Sequence, residues 1–581
     1  MNGPPAPTPR FATLLDALAA AAAGDEAYRF IDRDEREQLL SHAELHRRAR
    51  RFAASLAALG VAPGDRVALV LPTGPGFFVA FLGTLAAGAV PVPLYPPVRL
   101  GRLPEYHAAT QRMLTRVGAV LVLSEPRVLA LLGETVARAR PRLGARIVAE
   151  VEAAARGEHE HAAAAGELAL IQFSSGTTVA PKPVALTHAN LLAQCAALYA
   201  LMPHTPAVRQ RGVVWLPLYH DMGLVASLLG LYYPGEVALL PPEAFLTRPA
   251  LWLRALSRRR ATISTAPSFA YALCADRIRD DELAGVDLSA WRFALNGAEP
   301  ISTAVMERFC ERFARYGFDP RAVVPVYGLS EATLAVSFTP PGRGLRALRV
   351  GQRDLVSVGV PIPGVAVEVR DEDGAAQRDG RLGRIFARGP SVTRGYFDDP
   401  AASRAVLAGG WLDTGDLGFV DGGELFIAGR AKDVIIIRGA NHAPEEFEES
   451  LDGVPGLRAG CAVALPLATS EGEALLILAE EKPGARDETL AERIAARVAA
   501  YTGVRPRKVV VLAPGTLPRT SSGKRRRAEA LRRYLGGELR PPAPVTPLRL
   551  VAAMIRSRWA LVRARWRRRA GGGAANPVRA T

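Results

Sequence analysis

Short apolar runs rich in β-branched residues alternate with alanine-rich stretches of helical spacing from the N-terminus to about residue 340. The runs fall at 67–71, 119–123, 168–173, 212–216, 261–264, 291–295 and 323–327. Strands alternating with helices predict layered α/β sheets with crossover helices, and ligands in such folds lie at the carboxyl ends of strands. Between 359 and 427 the texture changes to short alternating strands broken by Asp/Gly turns at 371–374 and 421–423, which predicts a small antiparallel, β-barrel-like subdomain. A further unit follows Arg430, with a strand at 434–437, a helix from Pro444, strands near 461–465 and 474–478, and a helix ahead of Tyr501. The expected fold is α/β: a large N-terminal lobe of layered α/β sheets with its small barrel-like subdomain over 1–430, a small mobile α+β C-terminal lobe over 431–535, and a tail over 536–581.

No charged residue occurs from 67 to 98, which by hydropathy alone would suggest a membrane span. Pro72, Gly74, Pro75, Gly76, Gly83, Gly88, Pro91 and Pro93 cut the run into strand, helix and strand, so no transmembrane helix is expected. Near the N-terminus, Asp16, Asp25 and Glu26 break the alanine-rich run after Arg10, and an amphipathic helix is expected there instead of a signal peptide. Cys195, Cys274, Cys310 and Cys461 form no CxxC pair and no His/Cys cluster, which argues against disulfides or zinc and for a reducing, cytoplasmic setting. The formal net charge is +16, of which +9 falls from Gly536 onward, where ten arginines face one glutamate. Basicity is therefore largely a property of the tail and says little about the body of the protein.

Several motifs follow the apolar runs directly. Gln172-Phe-Ser-Ser-Gly-Thr-Thr-Val-Ala-Pro-Lys182 offers Ser174, Ser175, Gly176, Thr177 and Thr178 after a strand. Successive N–H groups and hydroxyls suit a polyphosphate, which Lys182 can neutralise. Trp411-Leu-Asp-Thr-Gly-Asp416 places a carboxylate on a tight turn, suited to the two hydroxyls of a ribose. Leu517-Pro-Arg-Thr-Ser-Ser-Gly-Lys524 ends in a lysine on a short polar loop. Read alone, Lys524 to Arg527 is a basic surface cluster, and a histidine such as His220 in Trp215-Leu-Pro-Leu-Tyr-His-Asp-Met-Gly-Leu224 is more often a structural one.

Together these motifs resemble the adenylate-forming superfamily of acyl-CoA synthetases, luciferases and peptide-synthetase adenylation domains, over about residues 10 to 535. The segments 215–224 and Leu295-Asn-Gly-Ala-Glu-Pro300 are similar to its fatty acyl-AMP ligase branch. The resemblance implies ATP and Mg²⁺ as cofactors, and a fatty acid joined to AMP and then passed to an acyl carrier protein or to CoA. It implies that His220 borders the reacting carboxylate and that Asn296, Gly297, Ala298 and Glu299 line the adenine. In Tyr327-Gly-Leu-Ser-Glu331, Tyr327 would stack on the base beside Gly328, Ser330 approach the α-phosphate and Glu331 hold Mg²⁺. Asp416 and Arg430 would take the ribose, Lys432 would be the hinge between lobes, and Lys524 would stabilise the charge-rich phosphoryl transition state. The acid is already ionised at neutral pH, so no general base is needed.

The chain departs from that pattern at Val179 and Pro183, where glycine is usual, which stiffens the phosphate loop. The stretch from Ser337 to Ser357 lacks an insertion that in acyl-AMP ligases restrains the small lobe and disfavours CoA. Ala266, Phe269 and Ala270 are candidates for an acyl tunnel or for ordinary core. In the tail, Leu548, Val551, Ile555, Trp559, Val562 and Trp566 recur at helical steps, with Arg549, Arg556, Arg563 and Arg567 on other faces. Such a helix suits peripheral contact with an anionic membrane or an acidic carrier protein; docking on its own protein and disorder are the alternatives. Nucleic acid is not expected, since no recognition fold accompanies the arginines. Two rival readings remain, a long-chain acyl-CoA synthetase and a non-catalytic nucleotide or lipid sensor.

Overall fold

The computed structural model describes residues 1–174, 181–205, 208–351, 353–437, 440–469, 472–484, 487–520 and 523–571, with the side chains of 565 and 567–571 outside that description. The uncharged run resolves as its breakers require, into the strand Arg66–Val70, the helix Pro75–Ala86 and the strand Val90–Pro93. Both strands enter a wholly parallel four-stranded sheet with Leu121–Ser124 and Gly144–Ile147. No described helix is long and apolar enough to cross a membrane. The N-terminal helix Leu14–Ala21 starts at a capping box, with Thr13 accepting from the Asp16 N–H and Asp16 accepting in return.

A nine-stranded sheet forms the centre of the large lobe. Its inner strands Phe293–Asn296, Ile263–Ala266, Gly212–Val214 and Val237–Leu239 run parallel, so their carboxyl ends open on one edge. Val323–Gly328 joins them in parallel and is followed by the antiparallel strand Ala335–Phe338. The expected strands appear within two residues of the starts read from the pattern. Behind them Trp252, Trp291, Tyr271 and Phe309 pack edge to face, fully buried. Aromatic side chains bury roughly 150–250 Å² each, so this layer holds the strand ends in place.

The antiparallel subdomain comprises Ala366–Arg370, Gly383–Arg388, Trp411–Asp421 and Glu424–Arg430, with the short strand Leu407–Ala408. One turn, Ala431–Asp433, leads from it into a three-stranded sheet of Leu457–Thr469, Gly472–Glu481 and Lys508–Leu512, backed by the helix Leu490–Thr502. Arg527, itself buried, ties this region together through Asp433 at 3.0 Å, Glu445 at 2.8 Å and Glu448 at 2.7 Å.

Several contacts cross between the regions before and after that turn. Arg353, on the hairpin 347–356, pairs with both oxygens of Glu449 at 3.1 and 2.9 Å. Arg102 donates to the carbonyls of Gly515, Thr516 and Arg540, and Arg533 pairs with Glu105 at 3.1 Å. The tail is not disordered over 547–571: it forms the helix Pro547–Gly571, docked on the helix Pro126–Ala139. The expected apolar stripe is not the docking face. Ala553 and Ser557 are buried, whereas Leu548, Val551, Ile555, Trp559, Val562 and Trp566 are exposed.

Candidate active site

Ser174 and Lys182 close the mouth of the phosphate-loop segment with reciprocal bonds: Ser174 N–H donates to the Lys182 carbonyl at 2.9 Å, and Lys182 N–H to Ser174 Oγ at 3.2 Å. Ser175, Gly176, Thr177, Thr178 and Val179 lie outside the described residues. Pro183 opens the strand Pro183–Thr187, a position where proline forfeits no needed ladder bond. The Lys182 ammonium sits 4.6 Å above the ring of Tyr396, whose hydroxyl donates to Glu331 Oε1 at 2.9 Å. Tyr396 thus links two expected phosphate- and metal-handling groups. Sequence reasoning missed it, since a lone tyrosine after Thr393-Arg-Gly carries no signal of its own.

Tyr327 donates to Asp416 Oδ2 at 2.6 Å, while Arg430 Nε lies 2.8 Å from Asp416 Oδ1. The register of the subdomain sheet sets this up, because Asp416 and Arg430 are direct cross-strand partners. Burial pushes the Asp416 carboxyl above the usual carboxylate range, against Arg430 and the Tyr327 hydroxyl, which pull it down. A group so desolvated favours further hydrogen-bond donors such as sugar hydroxyls. Gly328 is fixed by packing, since a Cβ there would fall 1.7 Å from the Leu334 carbonyl oxygen.

His220 precedes the helix Asp221–Tyr232, and Gln172 Nε2 anchors its loop by donating to the Tyr219 carbonyl at 2.6 Å. The approach is close enough that a Cβ on Gly223 would meet the Pro217 carbonyl oxygen at 2.3 Å. Burial pushes His220 down to about 4, with Asp221 opposing and Lys524 adding to the shift, so the imidazole is neutral at pH 7. The helix N-terminus beside it favours an anion. Ser330 Oγ donates to Asp221 Oδ2 at 2.5 Å, which ties the expected α-phosphate residue to the expected acyl-side loop.

Lys524 arrives from beyond the turn at 431–433 and lines the same cavity as His220, Asp221, Glu299, Asp416 and Arg430. Thr520 N–H donates to the Lys524 carbonyl at 2.9 Å and Lys524 N–H to Thr520 Oγ1 at 3.0 Å. Gly523 stands there at φ +90°, which a side chain would strain. Arg99 donates to the carbonyls of Arg519 and Thr520 and clamps the loop on the large lobe. Removal from water holds the Lys524 amine below its ordinary value; Asp221, Glu299 and Asp416 oppose that shift and Arg430 reinforces it. The ammonium therefore lies within electrostatic reach of all four.

The segment Asn296 to Glu299 corrects one expectation. The Asn296 side chain is fully buried and donates to Ser268 Oγ at 3.2 Å and Met306 Sδ at 3.1 Å, so it faces the core and not the cleft. Gly297 lets two strands approach, since a Cβ would lie 2.6 Å from the Val326 carbonyl oxygen. Ala298 takes a left-handed φ of +68° at the cavity edge, a strain of order 1–3 kcal/mol that clusters at functional sites. Glu299 is not a merely solvated group: it accepts from the Phe269 N–H at 2.8 Å, and burial raises its carboxyl. Lys432 also lines the cavity, in the turn Ala431–Asp433.

Ser174, Lys182, His220, Glu299, Tyr327, Ser330, Glu331, Tyr396, Asp416, Arg430, Lys432 and Lys524 all line one cavity of about 2070 Å³. Its lining also includes the apolar Trp215, Leu229, Val237, Ile263, Phe269 and Leu273, while Ala266 and Ala270 stay in the core. The cavity lining thus combines charged and polar groups with an apolar set, and Lys524 belongs to it.

The family model for the AMP-binding enzyme matches residues 15–397. The chain is 37% identical to a protein of Caulobacter vibrioides provisionally named an acyl-CoA synthetase, over 91% of this chain and 96% of that one. It is 33% identical to the medium-chain-fatty-acid–[acyl-carrier-protein] ligase JamA of Moorena producens, over 91% and 96%. A solved structure from work on the fatty acyl-adenylate ligases of E. coli and L. pneumophila superposes with a TM-score of 0.85 at 34% identity, covering 91% of this chain and 98% of that one. The chain belongs to the AMP-binding enzyme family of adenylate-forming enzymes.

Proposed function

We propose that this enzyme activates a fatty acid with ATP. The acid's carboxylate oxygen attacks the α-phosphorus, an acyl–O–P bond forms, the bond to the β-phosphate oxygen breaks, and pyrophosphate leaves. A carrier-protein thiol then attacks the acyl carbon and AMP departs. The observation that carries the reading is that Lys524 lines the same cavity as the Asp416–Arg430 pair and the His220 loop and feels the charges of Asp221, Glu299, Asp416 and Arg430.

In this reading Tyr327, Asp416 and Arg430 hold the nucleoside, with the backbone at Gly297 and Ala298 beside the base. Lys182, Ser174 and the segment 175–178 hold the outer phosphates. Ser330 and Lys524 face the α-phosphate, where fixed charge lowers the barrier without reorganisation. Neutral His220, at the N-terminus of its helix, orients the carboxylate. Mg²⁺ fits at Glu331: a single cavity-lining carboxylate suits an ion that draws its other ligands from phosphates and water, and no larger acidic or histidine cluster occurs among the described residues. When bound, it supplies charge neutralisation to the leaving pyrophosphate.

We assign the lobes to 1–430 and 431–535, with Lys432 at the hinge about which the small lobe swings after adenylation. The four cysteines are free, which accords with a cytoplasmic site of action. The acceptor reading as a carrier protein draws on the likeness to the carrier-protein ligase and on the Arg353–Glu449 contact, by which the short hairpin still holds the small lobe. The test is an assay of acid-dependent pyrophosphate release followed by thioester formation on holo-carrier protein or on free CoA. Carrier-protein loading with little CoA product supports the proposal. Equal use of CoA favours the acyl-CoA synthetase, and no acid-dependent release leaves the sensor reading.

A further inference from the structure

The tail helix Pro547–Gly571 is docked back to front for an amphipathic helix. Its small residues meet the protein: Gly133 N–H donates to Ser557 Oγ at 2.6 Å, and a Cβ at 133 would fall 2.0 Å from the Ser557 carbonyl oxygen. Ala553 is buried beside it, and Leu561 packs against the neighbouring core. The large apolar side chains point away, with Leu548 at 83%, Trp559 at 61% and Trp566 at 75% exposed, and Val551, Ile555 and Val562 exposed in the same line. At 3.6 residues per turn this line lies about half a turn from Ala553 and Ser557, and it runs about 27 Å along the axis. Exposed apolar lines of this extent mark interaction sites.

Charge names the partner. The helix sequence contains no acidic residue, Arg549, Arg556 and Arg563 flank the stripe on one side, and Arg558 flanks it on the other. Among the described residues, only Arg556 of the helix approaches a carboxylate across the docking seam, Glu134 at 3.5 Å. A long straight apolar line with tryptophans, bordered by arginines, matches the level in a bilayer where acyl chains meet anionic headgroups. It suits a small acidic protein less well, since that partner would meet the arginines but leave most of the line uncovered. The location also fits, because Arg127, Val128 and Leu131 of the helix on which the tail docks line the catalytic cavity, with exposed Val98 near them.

We propose that the outward face of the tail helix is a landing surface for anionic lipid bilayers, which sets the cavity mouth beside the membrane that supplies the lipid acid. The supply role rests on the fatty-acid reading, whereas the binding itself does not. The experiment sediments the full chain with vesicles of phosphatidylglycerol and phosphatidylcholine, and with phosphatidylcholine alone, at low and high salt. Partition to the anionic vesicles is expected to exceed that to neutral ones at least about tenfold, to fall with salt, and to drop about tenfold in W559S/W566S and in R549E/R556E/R563E.

Pyrophosphate exchange with a short, water-soluble acid serves as the control and is expected to be unchanged in both variants. Should the tryptophan variant fail to fold, the charge-reversal variant carries the test. Vesicle binding by a protein that activates no acid would sink the catalytic reading and leave the lipid surface standing. No sedimentation, equal binding to neutral and anionic vesicles, undiminished binding in both variants, or capture of an acidic carrier protein in place of vesicles overturns the proposal.

Discussion

The phenol of Tyr327 and the carboxylate of Asp416, 89 residues apart in the chain, are joined by a hydrogen bond of 2.6 Å. The bond couples the last parallel strand on one side of the central sheet to the antiparallel subdomain, and it leaves Asp416 oriented by Arg430 on its other oxygen. If this pair grips the ribose, Asp416→Ala raises the KM for ATP about 100-fold, the cost of a charge-assisted bidentate contact. Tyr327→Phe, which keeps the ring and loses one donor, raises it about three- to tenfold. Steady-state pyrophosphate release against ATP concentration measures both, and an unchanged KM in Asp416→Ala would remove the nucleoside from this wall.

Arg353 and Glu449 form the bidentate pair between the short hairpin and the small lobe, with Arg353 only 11% exposed. Partly buried pairs of this geometry contribute about 1 kcal/mol or somewhat more. Arg353→Ala therefore slows adenylation about three- to tenfold by loosening the posture that presents Lys524, with thioester formation from supplied acyl-AMP unaffected. The swapped double variant R353E/E449R restores the rate. Equal slowing of both half-reactions would mean that the pair matters to folding alone.

His42 and His188 are buried in the large lobe, and burial brings each down to about 4. In the unfolded chain each takes up its proton near the ordinary value of about 6.5. The unfolded state thus binds more protons between those limits, so the stability contribution is complete above about 6.5 and is lost as pH falls towards 4. At pH 5 the loss is about 2 kcal/mol per histidine. Urea midpoints of the large-lobe transition at pH 7 and pH 5 report it, and His42→Leu should cut the difference by about half. A midpoint that does not move between the two pH values contradicts this.

The strand-end motifs were legible because each couples a β-rich run to a polar loop, and the structure sets those loops around one cavity. Asn296 misled for a physical reason: successive side chains of a strand point to opposite faces, and since Leu295 lines the cavity, Asn296 must face the helices behind. Tyr396 was invisible because its role is defined by Lys182 and Glu331, far away in sequence. The docking face of the tail escaped notice because Ala553 and Ser557 look like filler between bulkier residues. Only the three-dimensional fit to Gly133 marks them as the contact. That Lys524 meets the cleft at all depends on contacts between lobes, such as Arg99 to the Arg519 carbonyl, which no local pattern encodes.

The central claim is that Lys524 carries the charge on the α-phosphate during transfer. Exchange of labelled pyrophosphate into ATP, with fatty acids of graded chain length, tests it in wild type and Lys524→Ala. The wild type is predicted to exchange label only when an acid is present, and the variant to lose at least about 100-fold in exchange rate, about 2.7 kcal/mol, while still binding ATP. Exchange in Lys524→Ala at the wild-type rate would contradict the account.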